Sequence, residues 1–149
     1  QFILDELYLE SRIGFSEPAK NPSMLAQAYK EALEAINLLK RFGLQTGFGN
    51  YSRMNLYVML NSLPPSTVEI IRNLYKHKWQ LVKDDQELLF TLQKLMEYNL
   101  NLSEAARDLF VHRNTLLYRL GKIQKLTGLD YKNFDDMVLL RLLMLINNE

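Results

Sequence analysis

The sequence predicts a mainly α chain, with a C-terminal helix-turn-helix bundle preceded by part of an α+β region. Three observations predict it. Beyond residue 66, apolar residues recur at three- and four-residue spacing, the period of a helix face. Within 101–125, two such helices are separated by a tight turn. Before residue 62, two short β-prone runs flank one long amphipathic helix.

The chain has 149 residues, 48% of them hydrophobic, enough to bury a core in one medium or two small domains. It has no cysteine, which excludes disulfides and cysteine-ligated metal and fits a reducing, cytoplasmic location. No apolar run approaches the length of a membrane span. The start, QFILDELYLE, has no basic n-region and is not a signal peptide. It also lacks an initiator Met, so a piece of a longer protein is expected. The expected segments are 1–62, a partial α+β region; 63–83, a helical linker; and 84–149, the helix-turn-helix domain.

In order, LYLESRIGF alternates roughly and predicts a strand at 10–15. Asn21-Pro22 reads as a cap followed by proline at the first helical position. The helix predicted at 23–41 carries an apolar stripe of Leu25, Ala28, Tyr29, Ala32, Leu33, Ile36 and Leu39, and Gly43 fits its end. Residues 44–48 are a second expected strand. Gly47-Phe48-Gly49 lacks the full phosphate-loop fingerprint and reads as a turn. Ser52 is the expected cap of a short helix to Leu60. Leu63-Pro64-Pro65-Ser66 is the clearest boundary, with two prolines stopping one helix and Ser66 restarting another. That helix is expected over 67–76, followed by Trp79 and Leu81 as an apolar anchor. Asp84 or Asp85 caps the next, which turns Leu88, Leu89, Leu92, Leu95 and Met96 inward.

Residues 101–125 organise the rest. Ser103 is the expected cap of the first helix of the pair, Glu104 suits its dipole, and Ala105 and Ala106 admit a close neighbour. Phe110 and Val111 are expected to pin the turn to a core. The second helix starts at His112 or Arg113, with Leu116, Leu120, Ile123 and Thr127 on one stripe. Asn114, Tyr118, Lys122 and Lys125 point the other way. Thr127-Gly128 is its stop. The last helix, 134–147, starts with Asp135 and Asp136, and between Val138 and Ile146 only Arg141 is polar. A helix apolar nearly all round is buried on more than one side: one side closes the helix-turn-helix, and a second protomer, or else the N-terminal half, is the expected cover of the other.

From His112 to Lys125 there are four cations and no acid. A cationic face with hydrogen-bonding residues at its start suits the major groove, where first residues read base edges and later ones hold phosphates. A solvated bundle helix has the same charge pattern. Net charge is only +1; residues 1–83 carry +3 and residues 84–149 carry −2, so the positive field is local to this helix. His77 lies in a basic-aromatic surface run, and no second His or Cys accompanies His112, so no metal site and no cofactor are expected. The pairs Asp84-Asp85 and Asp135-Asp136 match helix starts, and no catalytic set is legible.

The stretch NLSEAARDLFVHRNTLLYRL, followed by KIQKLTGLD, resembles the C-terminal helix-turn-helix of PucR/CdaR-type bacterial transcription regulators, a module similar to the Fis-type helix pair. RIGFSEP and AYKEALEAINLLKRFG resemble the tail of the degenerate GGDEF-like region that precedes it in those regulators. The chain departs from the family at Leu117 and Gly121, where members commonly carry basic residues. The resemblance implies a non-enzymatic, sequence-specific binder of double-stranded DNA, working as a homodimer, with any small-molecule effector acting through a region upstream. The expected base contacts are Arg113, Asn114, Thr115 and Tyr118. The expected phosphate contacts are His112, Arg119, Lys122 and Lys125. A protein-interaction module using the same helix pair, and a small-ligand sensor fragment, are the rival readings.

Overall fold

The computed structural model describes residues 11–44 and 47–147. The chain divides into two compact units, one reaching to Thr67 and one spanning Val68–Asn147.

In the first unit, β1 (Ile13–Phe15) and β2 (Phe48–Asn50) pair in parallel, Gly14 opposite Gly49, with α1 (Leu25–Arg41) between them in the chain. A parallel pair needs such a crossover. Gly14 shows how closely strand and helix meet: a Cβ there would lie 1.9 Å from the Ala32 carbonyl oxygen. That contact sets Gly14 against Ala32 and Ile36 of α1. Ala35, Leu38 and Leu39 are buried, whereas Leu25, Tyr29 and Leu33 of the expected stripe are exposed. The expected strand residues 10, 45 and 46 lie outside the described residues. Two expected caps are corrected. Asn21 makes no capping bond at the 3₁₀ turn Pro22–Met24. Asn50, not Ser52, caps the 3₁₀ turn Tyr51–Arg53, accepting from the Ser52 N–H, and α2 (Asn55–Ser62) begins after it.

The helix after the proline boundary, α3 (Pro65–Lys83), starts on Pro65 rather than behind a Ser66 cap. Proline at the first position gives up an N–H that has no helical acceptor. The helix continues past the expected end at 76, because Trp79 and Val82 are drawn into the core of the second unit. Leu81, expected beside Trp79 as an anchor, points outward. Next come α4 (Gln86–Glu97), α5 (Leu102–Asp108), α6 (Arg113–Thr127) and α7 (Phe134–Ile146).

One apolar cluster holds them. It joins Trp79 and Val82 to Leu88, Leu92 and Leu95 of α4, Ala105 and Ala106 of α5, Leu116, Leu120 and Ile123 of α6, and Met137, Leu140, Leu143, Met144 and Ile146 of α7. Thr127 is buried with its hydroxyl satisfied: it donates to the Ile123 carbonyl and accepts from the Leu129 N–H. The helix α6 stops at Gly128, whose φ of 80° is open to glycine without steric cost. α7, expected to reach a second protomer, has its apolar length buried and leaves Phe134 and Val138 as its exposed large apolar side chains. No helix of the described residues is long and apolar enough to cross a membrane.

Candidate nucleic-acid interface

The helix pair α5–α6 is entered through a tight reversal. Asn99 and Leu100 both take positive φ, and this delivers Asn101 to the capping position. Its side-chain oxygen accepts from the N–H groups of Ser103 and Glu104. Ser103, the expected cap, is therefore already in the first turn. Ala105 and Ala106 are buried, as small residues allow where helices approach closely.

Between the helices, Val111 packs against the core and Phe110 does not. Phe110 takes φ +53°, which turns its ring outward, and it is 96% exposed. The expectation that both residues pin the turn fails at Phe110 for that reason. His112 then caps α6, its Nδ1 accepting the Asn114 N–H at 3.2 Å. With Nδ1 occupied as an acceptor, Nε2 is the nitrogen that faces outward as a donor.

On α6 the stripe Leu116, Leu120, Ile123 and Thr127 is buried as a block, so the opposite face is turned to solvent. His112, Arg113, Asn114, Thr115 and Tyr118 are all exposed along its first turns, and Lys125 is exposed near its end. Among the described residues, the Arg113 and Lys125 side chains make no hydrogen bond or ion pair. Gly121 lies on the same side, and a Cβ added there would meet nothing within 4 Å.

The four cations of α6 differ in what holds them. Arg119 reaches back to α4. Its guanidinium lies 2.9 Å from the Glu87 carboxylate and 3.5 Å from the Thr91 hydroxyl, with the side chain only 16% exposed. Lys122 pairs with Asp85 at 2.8 Å and remains 47% exposed. The Lys122 hydrogen bond holds the Asp85 carboxyl below its ordinary range, and the same bond raises the ammonium. Asp85 also caps α4 with its other oxygen, accepting from the Glu87 and Leu88 N–H groups. One acid therefore fixes the start of the scaffold helix and the middle of α6.

A second anchor fixes α5. Lys94 of α4 lies 2.8 Å from Glu97 and 3.0 Å from Asp108. These hydrogen bonds raise the Lys94 ammonium, and the Lys94 bond lowers Asp108. Tyr98 donates to the same carboxylate, which raises its phenol. The anchoring residues Asp85, Glu87, Lys94 and Asp108 were not legible as site residues. Only the capping role of Asp85 has a sequence signal.

Residues 88–146 match the family of PucR C-terminal helix-turn-helix domains. The chain is 32% identical over 144 residues to the carbohydrate diacid regulator of Escherichia coli (strain K12), covering 95% of this chain and 37% of that protein. It is 35% identical over 96 residues to the purine catabolism regulatory protein of Bacillus subtilis (strain 168), covering 62% of this chain and 18% of that protein. It thus spans little more than a third of the first relative and less than a fifth of the second. The fold is similar to that of a regulator of polyketide synthase expression from Bifidobacterium adolescentis, with a TM-score of 0.51 at 20% identity, over 83% of this chain and 48% of that one. Residues 88–146 are thus a helix-turn-helix domain of the PucR C-terminal family.

Proposed function

We propose that the chain binds operator DNA sequence-specifically through α6, as a homodimer on two matching half-sites. One observation carries this reading. The first turns of α6 present His112, Arg113, Asn114, Thr115 and Tyr118 to solvent together, while the reverse side of the helix is locked into the core. That is the arrangement of a helix whose N-terminal residues enter the major groove. Arg113, Asn114, Thr115 and Tyr118 take the base edges, Arg113 suiting guanine and Asn114 suiting adenine. His112 and Lys125 take phosphates directly. Lys122 does so by exchanging Asp85 for a phosphate. Arg119, held against Glu87 and Thr91, is reassigned from phosphate contact to setting the angle of α6 on α4.

Several relatives are named as regulators, one of them the proline-responsive transcriptional activator PutR of Bacillus subtilis (strain 168). In this reading the chain acts without catalysis, in the cytoplasm, and an effector works through a region upstream. Residues 1–62 are read as the tail of a GGDEF-like region, supported by the strand–helix–strand order of Ile13–Phe15, Leu25–Arg41 and Phe48–Asn50.

Selection of bound fragments from a random duplex pool tests the function. The reading expects an inverted repeat with half-sites about 10 base pairs apart, or a multiple of that. A pool that stays random after repeated selection contradicts it.

A further inference from the structure

We propose that the ring of Phe110, in the turn between α5 and α6, packs against the sugar–phosphate backbone at the edge of the groove that α6 enters. This contact deepens the DNA reading above and rests on it.

The helices α1, α4, α5 and α6 each end on a residue with left-handed backbone: Gly43 at φ 57°, Asn99 at 49°, Phe110 at 53° and Gly128 at 80°. Glycine adopts that conformation freely and asparagine tolerates it, so three of the four positions carry the residue types the turn asks for. Phe110 does not. Its backbone bonds show why the conformation is required. The Phe110 N–H donates to the Arg107 carbonyl at 3.1 Å, and the Val111 N–H to the Ala106 carbonyl at 3.0 Å. That pair of bonds closes a helix end only through a left-handed residue. Any residue at 110 would be placed this way, and an aromatic one is placed at a steric cost.

The folded chain returns nothing for that cost. The ring is 96% exposed, more than any other large apolar side chain among the described residues. Leu100, the other apolar residue in this backbone region, is 43% exposed. A phenylalanine both strained and bare does nothing for this fold that glycine would not do better, so its use lies outside the chain.

Its place names the occupant. Phe110 stands two residues before His112, the cap from which α6 starts, so the ring sits at the mouth of the reading helix. When a helix enters the major groove by its N-terminal end, the turn ahead of it lies over the strand at the groove edge. The surroundings suit a polyanion. His112 and Arg113 are exposed beside it, and Arg107, although paired with Glu104, is 78% exposed one turn before. The acid nearest in the chain, Asp108, is committed to Lys94 and Tyr98. One ring set among cations matches the alternation of apolar deoxyribose and charged phosphate along a strand. A protein partner would ask for a contiguous apolar patch, whereas Leu109 and Val111, on either side of Phe110, are packed against the core.

Such a contact is blind to sequence, because every nucleotide has the same sugar. It is also blind to salt, because an apolar ring releases no counterions. It fixes the depth and angle at which α6 enters, not the bases that are read. These two properties separate Phe110 from Arg113, which carries discrimination, and from Lys125, which carries salt dependence.

The test is anisotropy titration of the selected operator and a scrambled duplex over a salt series, with wild type, Phe110→Gly, Phe110→Asn and Phe110→Tyr. The glycine and asparagine variants are expected to bind both duplexes about tenfold more weakly, with the operator preference and the log–log salt slope of wild type. Neither melting temperature should fall, and that of Phe110→Gly should rise, because the strain leaves with the side chain. Agreement between the two excludes looseness of a glycine turn as the cause, since asparagine closes α4 in the same conformation. Phe110→Tyr keeps the ring and should bind like wild type.

Undiminished binding by Phe110→Gly and Phe110→Asn overturns the proposal while the reading helix stands. So does a loss that Phe110→Tyr shares, one confined to the operator, or one with a flattened salt slope. A wild-type chain that binds neither duplex brings down the DNA reading and this contact with it, so the wild-type titration tells the two failures apart.

Discussion

The Lys122 ammonium of α6 lies 2.8 Å from the Asp85 carboxylate at the start of α4, on the side of the helix that would meet a phosphate. A duplex must compete with that acid for the cation. Asp85→Asn keeps an oxygen that can cap α4 and removes the charge. It should therefore raise affinity for duplexes of any sequence and steepen the salt dependence by about one unit in the log–log slope. Fluorescence anisotropy in a salt series reads both effects. Unchanged affinity would place Lys122 away from the backbone.

Arg113 and Lys125 should separate by what they lose. Arg113→Ala is expected to cost about 1–3 kcal/mol of binding on the preferred site and to relax the choice at one base pair. Lys125→Ala should weaken binding to all sequences alike and flatten the salt slope. Competition assays with single-base variants of the selected site distinguish the two. Equal loss of discrimination from both changes would contradict the assignment.

Gly121 gives a change that should stabilise. It lies inside α6, where glycine costs helix stability, and open space surrounds its missing Cβ. Gly121→Ala should raise stability by about 0.5–1 kcal/mol, measured by denaturant unfolding. Gly121→Arg should also raise duplex affinity, because it adds a cation to the exposed side of the helix. A fall in duplex binding with Ala would instead show that the backbone itself approaches the DNA at this position.

Acid should loosen the helix pair from its scaffold. Asp85 and Asp108 both lie below the ordinary value of 3.8 in the folded chain. A carboxyl lowered by folding contributes stability that is present above 3.8 and lost as pH falls through its folded value. Melting temperature should therefore decline below about pH 4, and Asp108→Asn should make the decline shallower. Lys94 has the opposite sign: its contribution is complete below 10.5 and is lost only as pH rises through its higher folded value. Thermal melts across pH for wild type and Asp108→Asn check this. Identical acid limbs in the two proteins would remove Asp108 from the account.

What could be read from the residues follows from period. Leu116, Leu120, Ile123 and Thr127 share a stripe because a helix repeats every 3.6 residues, and all four are buried. The exposed side of α6 follows by subtraction. The ion pairs could not be read in this way. Asp85 and Lys122 are 37 positions apart, and periodicity gives the inner face of each helix but not the rotation of one helix on another. Ser103 and Asn101 are both good caps. The choice between them was made by the positive φ angles at Asn99 and Leu100, which no propensity for leucine predicts. Phe110 has the same cause: an apolar residue reads as buried unless the backbone turns it out. In α1, Ala28, Ala32, Ile36 and Leu39 of the expected stripe lie on the covered side, Ala32 and Ile36 against Gly14, whereas Leu25, Tyr29 and Leu33 are exposed.

The central claim is that the outward side of α6 reads a duplex. It is tested most directly by anisotropy titration of the selected operator and a scrambled duplex of equal length, with wild type and with Arg113→Ala and Asn114→Ala combined. The account predicts that wild type prefers the operator at least about 1000-fold at physiological salt, and that the double variant loses this preference while still binding both duplexes weakly. Equal binding of operator and scrambled duplex by wild type, or an intact preference in the double variant, would contradict it.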